Sequence, residues 1–462
     1  MYLDTIAAIA TAPGESGVGI VRMSGPDALA CGLSIVRMGR SLRRVQVDEI
    51  ESHKMHYGAV VDPATGAVVD EVLMVWMQAP RSYTREDVVE IHSHGGFVPV
   101  RAVLRLCLAA GARLAEPGEF TLRAFLNGRI DLSQAEAVSG VVTAQTGRSL
   151  DLAISELRGR MTERLQPARD ALVETLAFLD AAADFPADEI PELDVDGALE
   201  RIARTLGEVV DSAQTGLLYR EGLRIAIVGR PNVGKSSLLN ALVGQERAIV
   251  TEIAGTTRDV VAETINLRGI PATLLDTAGI TETVDVVEAI GVERSRHALS
   301  TSALVLLVLD GSEPLMDSDR QVLRLVDERL DPSGIVCVVN KSDLPTHLDA
   351  STLGLSAAAP VIAISTASGQ GLDLLTETLY GVAIGESDAA TRPALVTSRQ
   401  FDALRRAAAA INAALAARSE GVPLDLLAVD VRTALYAVGE ITGEHVSEAV
   451  LDEIFSRFCI GK

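Results

Sequence analysis

Short apolar runs separated by Gly and Pro fill the first 119 positions, and helical spacing takes over beyond them. Asp4–Ile9 and Gly19–Met23 alternate as strands do, punctuated by Pro13-Gly14 and Gly17. Val72–Met77 and Val88–His92 are nearly continuous apolar runs of strand length, the second ending at Gly95-Gly96. Pro99–Ala110 carries the 3.6-residue period of a helix, and Gly111 stops it. This predicts an α+β domain over 1–119. From 120 to 219 the chain is Ala- and Leu-rich with helical spacing, and Ser133 with Glu136 fits a capping box at one helix start. The acidic stretch Asp184–Asp196, containing Pro186, breaks that helical segment in two. Strand–loop–helix alternation over 220–384 predicts a parallel, doubly wound sheet. After Arg392-Pro393 helical spacing returns, so 385–462 is a second helical segment. The simplest assembly is one helical domain made of 120–219 and 385–462, with the α/β unit inserted between them.

Composition narrows the function classes. A chain of 462 residues has room for two to four domains at roughly 100–200 residues each. No apolar run reaches the ~18–20 residues of a membrane span, and Met1-Tyr2-Leu3-Asp4 has no basic leader, so a cytoplasmic protein is expected. Cys31, Cys107, Cys337 and Cys459 are scattered singly, which excludes a disulfide framework and a CxxC zinc site. The net charge of −22 argues against nucleic-acid binding through bulk electrostatics, and 3% aromatic residues argue against a base-stacking platform. Only four basic residues are lysines: Lys54, Lys235, Lys341 and Lys462. Where arginine is used so freely, a surviving lysine marks a place that needs a compact point charge.

Two of those lysines stand in nucleotide motifs. The strand Leu223–Val228 runs into Gly229-Arg230-Pro231-Asn232-Val233-Gly234-Lys235-Ser236, and a helix follows from Ser237. This is GxxxxGK[ST] in its strand–loop–helix setting. Gly234, Ser236 and Ser237 offer backbone N–H groups to phosphates, Lys235 reaches the terminal phosphates, and the Ser236 hydroxyl can ligate Mg²⁺. A second apolar strand ends in Asp276-Thr277-Ala278-Gly279, where Asp276 can hold the Mg²⁺ shell and Gly279 can meet the terminal phosphate. A third, Ile335–Val339, ends in Asn340-Lys341-Ser342-Asp343, similar to the NKxD signature of GTPases. There the carboxylate accepts two hydrogen bonds from guanine that adenine cannot supply, so GTP rather than ATP is the expected substrate. Ser365-Thr366-Ala367 stands where GTPases carry a loop over the base. Ile280 follows the DTAG glycine and cannot orient water, so another group must.

The loop Thr251–Asp259, the segments Glu119–Arg129 and Asp131–Ala137, and the terminal Phe458-Cys459-Ile460-Gly461-Lys462 resemble the MnmE (TrmE) family of bacterial tRNA modification GTPases over essentially the whole chain. The resemblance implies an N-terminal folate-binding-like domain, a two-segment helical domain and an inserted P-loop GTPase domain. It implies a homodimer joined through the N-terminal domains. With the flavoprotein MnmG (GidA), in a heterotetramer or larger complex, such a dimer modifies carbon five of the wobble uridine of certain tRNAs. The product is of the carboxymethylaminomethyl type, with its methylene carbon drawn from a tetrahydrofolate derivative in the 5-formyl or methylene form. GTP hydrolysis is K⁺-stimulated, the ion standing in for an arginine finger. The matching K⁺ ligands are Asn232, Thr251, Ile253 and Thr256; Thr257 joins Ser236 on Mg²⁺, and Glu288 is the matching catalytic glutamate. Arg22, Glu90, Arg129 and Lys462 match the folate site, and Cys459 is a possible functional cysteine. A prenylation signal is excluded because Gly461 and Lys462 do not fit its last two positions. The alternative function is a GTPase that assists ribosome assembly, which leaves the N-terminal domain unexplained.

Overall fold

The computed structural model describes residues 4–185, 193–246, 262–276, 302–327, 334–348, 353–355, 359–385 and 393–461. They form two compact units, Met1–Ser139 with Gly439–Lys462, and Gly140–Val438.

The first unit is built on a seven-stranded sheet. Its strands are β1 (Ile6–Ile9), β2 (Gly19–Ser24), β3 (Val36–Met38), β4 (Met55–Val61), β5 (Val68–Met77), β6 (Val88–Ser93) and β7 (Arg113–Leu114), in the order β3-β4-β5-β6-β2-β1-β7. All neighbours are antiparallel except β1 and β7. Helices α1 (Ala28–Ile35) and α2 (Phe97–Ala109) cover one face, where Val21, Met23, Met74, Val89 and Ile91 meet Ile35, Val103 and Cys107. Each such aliphatic side chain contributes about 1.5–3 kcal/mol on full burial. Helix α3 (Glu119–Leu126) is fixed to the sheet by Arg123, which is fully buried and donates to Asp4 Oδ1 at 2.8 Å and Glu119 Oε1 at 2.9 Å. A buried guanidinium is tolerable only with carboxylates of this kind around it. The helix Glu448–Ser456 brings Ile454 and Phe455 against Leu132 and Ala135 of α4 (Leu132–Thr143).

The capping box sits two residues earlier than the sequence suggests. Gln134 N donates to Asp131 Oδ1 at 2.8 Å, and Asp131 N donates to Gln134 Oε1 at 2.9 Å. Ser133 instead gives its hydroxyl proton to Asp131, so the carboxylate takes the capping role. Helix α2 likewise starts at Phe97, ahead of Pro99, and β5 begins at Val68 because Val68, Asp70 and Glu71 pair with β4.

The second unit opens with helices α5 (Gly147–Leu157), α6 (Arg160–Asp184) and α7 (Val195–Glu221). A six-stranded sheet follows, with β8 (Leu223–Val228), β9 (Ala262–Leu267), β10 (Ile270–Asp276), β11 (Leu304–Asp310), β12 (Ile335–Asn340) and β13 (Val361–Ala363). Its order is β13-β12-β11-β8-β10-β9, parallel apart from the edge strand β9. Between and after these strands come α8 (Lys235–Glu246), α9 (Asp317–Asp327), α10 (Leu372–Ile384), α11 (Ser398–Ser419) and α12 (Leu424–Thr442). Helix α7, before the sheet in sequence, packs along α11, which comes after it. Leu152 and Ala153 of α5 share one core with Ile225, Ile227 and Leu274 of the sheet. Strands buried on both faces read as unbroken apolar runs, as Leu304–Asp310 and Ile335–Asn340 do. Cys337 is one of those core residues, whereas Cys459 is exposed.

Glu156, near the end of α5, is 3% exposed, and its Oε2 has no hydrogen-bond partner among the described residues. Burial pushes its carboxyl from the ordinary 4.5 up to about 7, against the pull of Arg164 and the backbone N–H of Leu395. The folded chain therefore holds this proton more tightly than the unfolded one. Stability is lost as pH rises from about 4.5 through about 7, by at most about 3 kcal/mol. Glu156→Gln, isosteric and uncharged, should raise the urea midpoint at pH 8 and leave it unchanged near pH 4. An equal shift at both pH values would contradict the assignment.

Candidate functional site

The loop after β8 and the turn after β12 lie at the same, C-terminal edge of the parallel sheet. Strand β8 has β10 on one side and β11 on the other, which places the loop at the topological switch point where doubly wound sheets bind ligands. Asn232 and Gly234 both take positive φ, at 65° and 98°. A Cβ on Gly234 would stand 2.3 Å from Asn340 Nδ2, so the motif glycine is required both by conformation and by space. Lys235 opens α8 and is buried, its Nζ donating to the carbonyls of Gly229 and Arg230 at 2.8 Å each. Its ammonium is thereby held inside the curl of the loop, where phosphate oxygens would replace those carbonyls. Asn232 and Ser236 are exposed at the rim.

Asn340 joins the two loops. Its Nδ2 donates to Val233 O at 2.9 Å, and its Oδ1 accepts from Thr366 N at 3.2 Å. One buried amide thus ties the phosphate loop, the NKSD turn and the 365–367 loop together. Thr366 contributes here through its backbone N–H, so a threonine serves where a small residue is usual. Lys341 takes φ 63°, and Asp343 stands exposed on the turn beyond it.

Sequence reasoning passed over Asp310, the last residue of β11. Its Oδ2 accepts from Lys341 Nζ at 2.5 Å, and its Oδ1 from Ser312 N and Oγ at 3.0 and 2.6 Å. Burial alone would raise its pKa; Lys341 and the two Ser312 donors outweigh that and hold it below the usual carboxylate range. Arg230 of the phosphate loop lies 3.9 Å from the same Asp310 oxygen and pairs with Glu313 and, at 3.2 Å, Asp319. An aspartate ending an apolar strand gives no sign in sequence of partners this distant.

A second cluster occupies the first unit. Arg22 of β2 and Glu90 of β6 are directly paired across the sheet, and Arg22 Nε donates to Glu90 Oε1 at 2.8 Å. His92 Nε2 lies 3.2 Å from the other Glu90 oxygen. Hydrogen bonding from His92, and then the charge of Arg22, hold the Glu90 carboxyl below its ordinary range against the effect of burial. The Arg22 guanidinium lies 5.8 Å from the Phe120 ring centre and also donates to Gly461 O at 3.3 Å. Arg129, exposed, stacks on Tyr83 at 4.9 Å and donates to its carbonyl at 3.0 Å. Gly461 takes φ 95°, and a Cβ there would lie 2.3 Å from Ile9 O, so only glycine lets the C-terminal tail reach β1 this closely. Gly118 N donates to Cys459 O at 3.4 Å along the same path.

Comparison with known proteins settles the family. The family model described as the MnmE helical domain matches residues 132–459. That described as the GTP-binding protein TrmE N-terminus matches residues 5–129. The tRNA modification GTPase MnmE of Heliobacterium modesticaldum is 48% identical over 475 residues, covering 100% of both chains. The chain belongs to the MnmE family of tRNA modification GTPases. A second MnmE relative, from Geobacillus thermodenitrificans, is 45% identical over 465 residues and covers 99% of each chain. Among solved structures, the G domain of the FeoB iron transporter of T. maritima is 25% identical over 35% of this chain and 98% of that one, with a TM-score of 0.27.

The structure therefore brings together Asn232, Gly234, Lys235, Ser236, Asn340 and Lys341 around one sheet edge, and Arg22 and Glu90 as a direct pair. Thr251, Ile253, Thr256, Thr257, Thr277, Ala278, Gly279, Ile280, Glu288 and Lys462 lie outside the described residues, as does the side chain of Asp276. Of the side chains expected around Mg²⁺ and K⁺, the described residues include those of Ser236 and Asn232, both exposed at the rim of the loop. In the first unit the Glu90 carboxylate stands between two nitrogen donors, and Arg22 and Arg129 lie over the Phe120 and Tyr83 rings, a donor set that could hold a ligand with an N–H edge and a carboxylate tail.

Proposed function

We propose that this chain is a K⁺-stimulated GTP hydrolase of tRNA modification. With a flavoprotein partner of the MnmG type, it would modify carbon five of the wobble uridine of certain tRNAs, using a one-carbon unit from a tetrahydrofolate derivative. The observation that carries this is the joint presence, in a chain with MnmE relatives over its full length, of a phosphate loop tied to an NKSD turn and of the Arg22–Glu90 pair. We read 220–384 as a GTPase domain inserted into a helical domain of 120–219 and 385–462, with 1–119 as the folate-binding and dimerisation domain; the side-by-side packing of α7 and α11, on either side of the sheet in sequence, supports the insertion.

In the proposed division of roles, Lys235 draws charge from the terminal phosphates, and Ser236 with Thr257 would hold Mg²⁺. Asp276, Thr277, Ala278 and Gly279 line the phosphate end, and Asp343 reads guanine. Asn232, Thr251, Ile253 and Thr256 would hold K⁺, whose charge offsets that developing on the phosphates. Glu288 orients the attacking water, a task Ile280 cannot perform. Arg22, Glu90, Arg129 and Lys462 bind the folate, and Cys459, exposed beside the tail, is open to chemistry or contact. The dimer works in the cytoplasm; no helix among the described residues is long and apolar enough to cross a membrane.

The purified chain tests the ionic part. GTP turnover should be faster in KCl than in NaCl at equal ionic strength, because Na⁺ is too small for the long distances that carbonyl ligands set. Equal rates in the two salts would contradict the K⁺ site.

A further inference from the structure

We propose that Asp310 is a positioning residue for guanine-nucleotide binding, acting through Lys341 and holding the base-recognition turn in register with the phosphate loop. The inference rests on the assignment of 229–236 and 340–343 as the nucleotide site.

The topology puts Asp310 where both loops can be reached. Strand β11 lies between β8, which delivers the phosphate loop, and β12, which delivers the NKSD turn. Asp310 is paired with Asn340 in the strand register, and Gly311 N donates to Asn340 O at 2.9 Å. Its side chain is 2% exposed, whereas that of Lys341, which it meets at 2.5 Å, is 36% exposed, so the carboxylate is the buried member of the pair. On its other side Arg230, 12% exposed, approaches the same oxygen at 3.9 Å and continues to Asp319 and Glu313. Cations from both loops therefore converge on one carboxylate. Ser312 fixes that carboxylate with two donors, which leaves Oδ2 aimed at Lys341. Removing the charge of Asp310 takes from Lys341 the carboxylate that holds it, and the turn carrying Asp343 is free to shift.

Lys341 is also one of only four lysines in the chain. A planar guanidinium needs a fork of acceptors, whereas Asp310 presents one free oxygen, which a compact ammonium matches.

The test is the affinity of the full-length chain for fluorescent GDP and the kinetics of GTP turnover. Asp310→Asn keeps the shape and should weaken GDP binding at least about tenfold, because the buried carboxylate that holds Lys341 loses its charge. In turnover the loss should fall on KM, with kcat changed less than about threefold. Lys341→Gln should show a similar loss, and the double variant should be no worse than the weaker single one, because both remove the same contact. Losses that multiply, or GDP binding by Asp310→Asn within threefold of the parent, would overturn the proposal. Should Asp310→Asn fail to fold, Ser312→Ala loosens the same carboxylate. It should cost about threefold in affinity, and nothing further when Lys341 is already glutamine; no loss in the first case, or an undiminished one in the second, would equally overturn it. Lys235→Ala separates the two levels. If it too binds GTP normally, the nucleotide-site assignment is at fault; if it alone loses GTP, only the role of Asp310 fails.

Discussion

Glu288→Ala should hydrolyse GTP about 10²–10⁴-fold more slowly than the parent while binding GTP normally. That corresponds to roughly 3–5 kcal/mol of barrier, the usual contribution of a group that orients or deprotonates water. Binding should survive because the Gly229 carbonyl holds Lys235, the Val233 carbonyl holds Asn340 and Asp310 holds Lys341. Arg22→Ala should show the opposite pattern. It removes the guanidinium that meets Glu90 at 2.8 Å and the tail carbonyl of Gly461 at 3.3 Å, so folate affinity and tRNA modification should fall. GTP turnover should remain near the parent value. Parallel measurement of GTP affinity, turnover and folate affinity decides the matter. Near-normal turnover in Glu288→Ala, or lost turnover with intact folate binding in Arg22→Ala, would refute this division of labour.

Gly234→Ala should abolish nucleotide binding at micromolar concentrations without unfolding the chain. A residue with a side chain is strained at φ 98°, at roughly 1–2 kcal/mol. The added methyl would also press on Asn340 Nδ2 at 2.3 Å, and overpacking of this kind costs about 1–3 kcal/mol. Together these amount to about 2–5 kcal/mol, or roughly 30- to several-thousand-fold in affinity. Because Asn340 also binds Val233 O and Thr366 N, the damage should reach the base loop as well as the phosphate loop. Calorimetric titration with GTP, beside a circular dichroism melt, checks both halves. Affinity within tenfold of the parent would show that the loop relaxes around the methyl group.

The nucleotide site was legible in the sequence because its motifs encode backbone geometry. The second glycine of GxxxxGK[ST] marks a place where positive φ is needed, and Gly234 supplies it; the positive φ of Asn232 falls on a position the motif leaves open. The order of strand, loop and helix then dictated a parallel sheet with the motifs at one edge. The charge network under the site was not legible. Asp310, Lys341, Arg230 and Asp319 come from four places in the chain, and only strand order brings them together. Arg22 and Glu90 were individually visible, but their pairing depends on the register of β2 with β6, which no local pattern states. Ser133 and Asp131 compete for one cap; both precede a residue that can complete a box, and the stronger acceptor took the role. The closeness of Gly461 to Ile9 joins the two ends of the chain and leaves no local trace.

The most direct measurement is the nucleoside composition of total tRNA from a strain lacking this chain, with and without the parent gene restored. Mass spectrometry should find the carbon-five modification of the wobble uridine missing in the deletion strain and returned by the parent chain, but not by Glu288→Ala or Arg22→Ala. A fully modified wobble uridine in the deletion strain, with precursor ribosomal RNA accumulating instead, would contradict the account and favour a role in ribosome assembly.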